Sequence, residues 1–435
     1  MGPAFSPLDE ELALLPGELT PHVQECLVRL GTWIPSFDRV TELAVAFTGV
    51  VVTEPTARRQ TEAAGAAYVA VQTAEVERLE RELPPAPVGP AKQVLEVDGA
   101  MVPLVHGEWT EVKTLVIGEV AEPVQENGEL VVHSHQLSYF SRQAEAETFG
   151  RLALVETHRR GVETAGQVGA VADGAEWEQD FFDLHRPDAV RILDFPHAAE
   201  RISQVGQAVW GAAAPETAPW LATQLHSLKH DGPATVLTTL RTLQQDHADL
   251  DVLRENLAYL EKREAHLQYP TFQAQGWPIG SGAVESGHEV VVEARLNGAG
   301  MHWAREHVNP MVALRNAVCN DRWDEAWAQI TTHLRQQAVR RRQTRHDQRR
   351  AAATMVPPLA PAPPTLAEPE RAVALPAVPI PDPLPVGDAP SATETVAVRE
   401  QELTPPGPRR PAPDHPWRHS PIGRARYQPA ASAKT

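Results

Sequence analysis

Between residues 92 and 199 the chain changes texture at short, regular intervals, and this alternation limits the fold more than any other feature. QVLEVDGAMVPLV reads as a strand that closes on the Asp98-Gly99 pair and then returns. TEVKTLVIGEVAE and GELVVHSHQLSYF are rich in β-formers and read as two further strands. A long amphipathic helix follows in AEAETFGRLALVETHRRGVETA. QVGAVADGAEW is then a short strand ending on Asp173-Gly174, and WEQDFFDLHRP is a helix. AVRILDF is a buried strand, and another helix begins near His197.

The order β-β-β-α-β-α-β-α, with acids at the ends of the first and fourth strands, is that of an RNase H-like fold. In that arrangement the first strand is central and the fourth lies beside it in parallel. Asp98 and Asp173 then meet at one sheet edge, where ligands collect in sheets with parallel strands. Each Asp-Gly pair alone is a common turn signal, so the strand order carries the argument.

A third acid comes from far along the chain. In PIGSGAVESGHEVVVEARLNGAG, Pro278 and three small residues punctuate the backbone before a helix that begins at Ala283. Glu285, Glu289 and Glu293 recur every four residues and share one face, while Val284, Val291 and Val292 lie off it. The plain alternative is a solvated helix whose early acids suit the dipole. Two strand-end aspartates and a helix glutamate form an oxygen-rich set suited to Mg²⁺ or Mn²⁺.

The flanks are helical. Residues 1–83 contain LTPHVQECLVRLGTWI, a helix from Arg39 to Phe47, a turn at Thr48-Gly49 and a second helix from Thr53. Thr53 suits an N-cap and Pro55 the first turn, with Arg58 and Arg59 on the early exposed face. This is a helix-turn-helix outline, one that many three-helix folds share without touching DNA. Residues 84–92 are a linker, 93–199 and 276–333 two parts of one core, and 200–275 an all-helical insertion. A basic helix spans 334–356, and 357–435 hold half of the 40 prolines, a composition that predicts a disordered tail.

The net charge of −18 argues mildly against nucleic acid, yet Arg340, Arg341, Arg342 and four neighbouring arginines concentrate positive charge locally. No run of 18 uncharged apolar residues spans a membrane, and the acidic N-terminus does not read as a signal peptide, so a cytoplasmic protein is expected. Cys26 and Cys319 have no metal-ligand spacing and read as buried thiols. His133 and His135 alternate on a strand without a nearby acid or cysteine at ligand spacing. GSGAVES lacks the Lys-Ser/Thr ending of a phosphate-binding loop. Trp303 reads as core in preference to a base-stacking platform, and Arg295 and Arg305 as contacts to a DNA backbone or surface ion-pair partners.

VDGAMVPL, EVKTLVIGEV, LALVETHRRGVETAG, VADGAEW, ILDFPHAAE, GWPIGSGAVES and ARLNGAGMHW, with the N-terminal FTGVVVTEPTARRQTEAAG, closely resemble transposases of the ISKra4 group of bacterial insertion sequences. The resemblance spans roughly residues 5 to 330. It implies an RNase H-like catalytic core of DDE type, bearing an all-α insertion and an all-α N-terminal helix-turn-helix domain. It also implies Mg²⁺-dependent cutting and joining of transposon-end DNA and target DNA by a homo-oligomer, at least a dimer, associated with the nucleoid. Asp98, Asp173 and Glu285 become the catalytic, metal-binding acids. Asp194 and His197 resemble an Asp-x-x-His signature with an auxiliary, site-shaping role; Asp194 is also the rival to Asp173 as second ligand, or a helix cap. Relatives commonly begin with a cysteine-rich zinc-binding segment, and this chain starts where that segment would end, so either this member lacks the module or the frame is truncated. A DNA-binding remnant without chemistry stays open, as does a nuclease that does not join strands.

Overall fold

In the computed structural model, which describes residues 19–126 and 128–354, seven strands form. They are β1 (Lys92–Pro103), β2 (Trp109–Val120), β3 (Val124–Glu126), β4 (Glu129–Val131), β5 (Ser134–Arg142), β6 (Gln167–Ala172) and β7 (Val190–Leu193). Five pair in the order β5-β2-β1-β6-β7, giving a mixed sheet with β1 at its centre. β1 runs antiparallel to β2 and parallel to β6, and β6 runs parallel to β7.

Two strand expectations need correction. β1 does not close on Asp98-Gly99: Asp98 stays paired with Thr114, Gly99 with Lys113, and the ladder continues to Pro103 and Trp109. A strong partner strand overrides the turn tendency of Asp-Gly. The segment 128–140 is also not one strand, because residues 129–131 fold back on β3 as a small hairpin and only β5 joins the main sheet.

Helices α1 (Pro21–Trp33), α2 (Phe37–Thr48) and α3 (Glu54–Glu82) precede the sheet. Gly49 ends α2 in the left-handed region at φ 71°, where glycine is favoured, and Thr53 and Pro55 open α3. α4 (Ala146–Arg159) and α5 (Glu176–His185) cover one sheet face. The helical segment after β7 is α6 (Phe195–Trp210), α7 (Thr217–His230), α8 (Pro233–Asp246), α9 (Asp251–Lys262) and α10 (Tyr269–Ala274). Then come α11 (Gly282–Gly287), a π-helical turn (His288–Glu293), α12 (Ala294–Leu296), α13 (Arg305–Cys319) and α14 (Trp323–Thr354).

Alternation along β1 feeds both faces of the sheet. Leu95 and Val97 pack with Phe149, Phe181 and Phe182 of α4 and α5. Val94, on the opposite face, joins Ile202, Leu237, Leu253 and Leu257 of the helical insertion, while Ala100 and Val102 meet Val291, Val292 and Met311. The insertion is therefore built onto the sheet through shared apolar burial. The N-terminal helices share a core in the same way: Val28, Ala64 and Tyr68 pack with Leu314, Trp323 and Trp327. The proline-rich stretch 357–435 lies outside the described residues.

Candidate metal centre

Register alone brings the first two aspartates together. The last β1–β6 pair is Glu96 with Val171, so two more steps along each strand set Asp98 beside Asp173. The last β6–β7 pair is Ala172 with Leu193, and one more step sets Asp173 beside Asp194. Three aspartates thus stand in line across the sheet, Asp173 and Asp194 just past the carboxyl ends of β6 and β7 and Asp98 partway along β1.

The third member of the cluster is Glu178, on the first turn of α5. Oxygens of Asp98, Asp173 and Glu178 all lie within 4.8 Å of one another. A divalent cation with oxygen bonds of about 2.1–2.6 Å spans ligand pairs up to roughly 4–5 Å apart, so the set fits such an ion with little or no closing. Glu178 Oε2 accepts from the amides of Gly174 (2.9 Å) and Ala175 (3.0 Å), and Asp173 Oδ1 accepts from Ala175 (2.8 Å). The turn after β6 therefore orients both carboxylates.

Electrostatics show what this packing costs. Burial pushes Glu178 up to about 10, helped by the hydrogen bond and charge of Asp173. Asp98 rises to about 6, first from burial and then from the charges of Asp173, Glu111 and Asp194, against the hydrogen bond from Gly99. Acids held this close repel, and a divalent cation relieves that repulsion.

Glu285 stands outside the close cluster. It is exposed on α11, yet its carboxyl is raised by partial burial and by the charges of Asp194 and Asp98. The helix that carries it is anchored by two buried acids. Glu96 Oε2 accepts from the amide of Val284 (2.8 Å), and Asp194 Oδ1 accepts from that of Ser281 (2.8 Å). Asp194 Oδ2 also caps α6 through the amide of His197 (2.9 Å). With both oxygens engaged by backbone, Asp194 is a tether, and Asp173 is the better placed ligand. His197 meets Arg201, whose Nε lies 3.3 Å from its Nε2.

His288 was not singled out by sequence. It is buried with Nδ1 3.8 Å from Asp98 Oδ2, and burial lowers its pKa. Glu178 and Glu96 also escaped notice, although each left a trace: Glu178 has N-terminal capping spacing after Asp-Gly-Ala, and Glu96 interrupts an otherwise apolar strand.

The arginines expected to meet DNA divide. Arg58 and Arg59 are exposed on the first turns of α3, with Arg58 3.7 Å from Glu54. Arg340, Arg341 and Arg342 are exposed on α14. Arg305 is half-exposed and reaches Thr110 (3.0 Å) and Glu108 (3.5 Å). Arg295 must be reassigned: it is 1 % exposed, lies over the rings of Phe37 and Trp303, and donates to the carbonyl of Gly31. A guanidinium enclosed in this way holds the N-terminal helices to the core and has no face for a phosphate. Trp303 is buried, as its reading as core required. Cys26 and Cys319 are half-buried free thiols, and His133 pairs with Glu126 at 2.8 Å.

No protein-family model matches the chain, and no curated protein matches it. Among the described residues no helix is long and apolar enough to cross a membrane.

Proposed function

We propose that this chain is a divalent-metal-dependent DNA-processing enzyme, a DDE transposase with an RNase H-like core similar to the ISKra4 group. The observation that carries the reading is the in-register alignment of Asp98, partway along β1, with Asp173 at the carboxyl end of the parallel β6, joined by Glu178. The strand order β5-β2-β1-β6-β7 and the helical segment between β7 and α11 support it.

Asp98, Asp173 and Glu178 would hold Mg²⁺ or Mn²⁺, with Glu285 beside them on α11. Such ions, when bound, activate an attacking hydroxyl and stabilise a departing oxygen in phosphodiester chemistry. The chain's own residues prepare that site. Glu178 and Asp98 release protons as they become ligands, Glu96 and Asp194 fix the helix that bears Glu285, and His288 holds an imidazole against Asp98. The exposed arginines of α3 and α14 supply the positive surface for transposon-end and target DNA, which a chain of net charge −18 must concentrate locally. A homo-oligomer on DNA and a place in the cytoplasm at the nucleoid belong to the same reading.

The test is cleavage and strand transfer on DNA carrying the element's ends. Asp98→Asn should abolish both while DNA binding persists. Cleavage surviving in Asp98→Asn overturns the reading. Binding without cleavage in the unaltered chain indicates a DNA-binding remnant, and cleavage without joining a nuclease. Glu178→Gln and Glu285→Gln, compared in the same assay, decide which glutamate completes the site.

A further inference from the structure

Tyr259 and Arg263 sit one turn apart, at α9 and its C-terminal cap, and both reach the turn that carries Asp173. The Tyr259 hydroxyl donates to the main-chain carbonyl of Asp173. Arg263 donates to the carbonyl of Gly174 from Nε (3.2 Å) and Nη2 (2.5 Å). The two side chains brace each other, with the guanidinium 3.7 Å from the tyrosine ring centroid and Nη1 donating to the Tyr259 carbonyl at 3.2 Å. Arg201 of α6 lies over the same ring at 4.4 Å.

The turn is thus held from two sides. Its amides are taken by Glu178 on α5, and its carbonyls by the helical insertion. Gly174 leaves room for nothing else: at φ 88° a Cβ there would come within 2.6 Å of Arg263 Nε and 2.8 Å of the Tyr259 hydroxyl. The apolar core of the insertion is built chiefly from the leucines of α8 and α9 against Ile202 and Val205, with the Tyr259 ring packed at its margin. What the Tyr259 hydroxyl and Arg263 add to that packing is direction, because a carbonyl fixed at residues 173 and 174 fixes where the Asp173 carboxylate points.

We propose that Tyr259 and Arg263 are positioning residues for Asp173, so that the helical insertion sets how tightly the Asp98–Asp173–Glu178 cluster holds a divalent cation. This rests on the reading of that cluster as a cation site. Partners that orient a ligand from behind are worth about 10- to 100-fold in metal affinity.

The experiment titrates the full chain with Mn²⁺ alone, by calorimetry at pH 8, in four forms: unaltered, Tyr259→Phe, Arg263→Gln and Asp173→Asn. Tyr259→Phe and Arg263→Gln are expected to bind about 10-fold or more weakly while remaining folded, and Asp173→Asn to lose binding. Tyr259→Phe removes a single oxygen, so it decides the matter if Arg263→Gln fails to fold. Unchanged affinity in Tyr259→Phe, including a lowered melting temperature with unchanged affinity, overturns the proposal and leaves the cation site standing. Failure of the unaltered chain to bind millimolar Mn²⁺ overturns the cation site, and the proposal falls with it.

Discussion

Glu96, in the middle strand of the sheet, accepts a hydrogen bond from the amide of Val284 at 2.8 Å and so ties β1 to the helix that carries Glu285. Burial drives its carboxyl up to about 8, so at neutral pH it is held mainly as the acid. Glu96→Gln keeps a neutral acceptor and should match the unaltered chain near pH 4.5 and exceed it in stability at pH 7. Glu96→Leu orphans a buried amide and should cost about 1–3 kcal/mol in denaturant unfolding. The raised folded pKa also means that Glu96's stabilising contribution is complete below about 4.5 and lost as pH rises through about 8. That loss should be absent in Glu96→Gln.

Cation binding to the acidic cluster should release protons and strengthen with pH. Asp98 and Glu178 sit at about 6 and about 10 without metal, so fewer protons must be displaced at higher pH. The rise in melting temperature on adding Mn²⁺ should be larger at pH 8 than at pH 6. Asp98→Asn should abolish it at both.

His185 gives a separate acid-sensitive contribution. It is enclosed beneath α4, with Nε2 2.9 Å from the carbonyl of Gly150 and Nδ1 3.1 Å from Thr157 Oγ1, and burial lowers it to about 4. The folded state keeps it neutral while the unfolded chain protonates near 6.5. Stability from this group is therefore full above 6.5 and falls as pH drops towards 4, by about 3 kcal/mol at most. Urea midpoints across that interval, compared with His185→Gln, should show the drop only in the unaltered chain.

Gly65 lets α3 pass close to α13. A Cβ at that position would lie 2.2 Å from the Pro310 carbonyl oxygen, against backbone that has little room to retreat. Gly65→Ala should destabilise by about 1–3 kcal/mol despite its better helix propensity. Thermal unfolding checks the sign: a stabilised variant would contradict the packing.

Arg340, Arg341 and Arg342 present exposed charge on α14. If they meet phosphates, replacing all three by Gln should weaken DNA binding without changing sequence preference. The slope of log affinity against log salt should fall by about 2–3 in magnitude. An unchanged slope would place the DNA elsewhere.

Apolar periodicity is a local property and was enough to read most of the succession of strands and helices. Asp173 was legible within it as a strand-end acid, whereas Asp98 was legible as a candidate acid but lies partway along its strand. The sequence also marked the Val284, Val291 and Val292 face of the helix after Gly282, all three now buried. The π-helical turn at His288–Glu293 left no local mark. That β1 runs on past Asp98 depends on the ladder to β2, which forms only when the strands are packed side by side. The tertiary structure alone showed Glu178 closing on the aspartates, and Glu96 and Asp194 spent on holding α11. Arg295 gave no hint of its enclosure, and Tyr259 and Arg263 none of their grip on the Asp173 turn. Such roles arise when segments distant along the chain are packed together, and burial and hydrogen bonding then redefine what a charged or polar side chain can do.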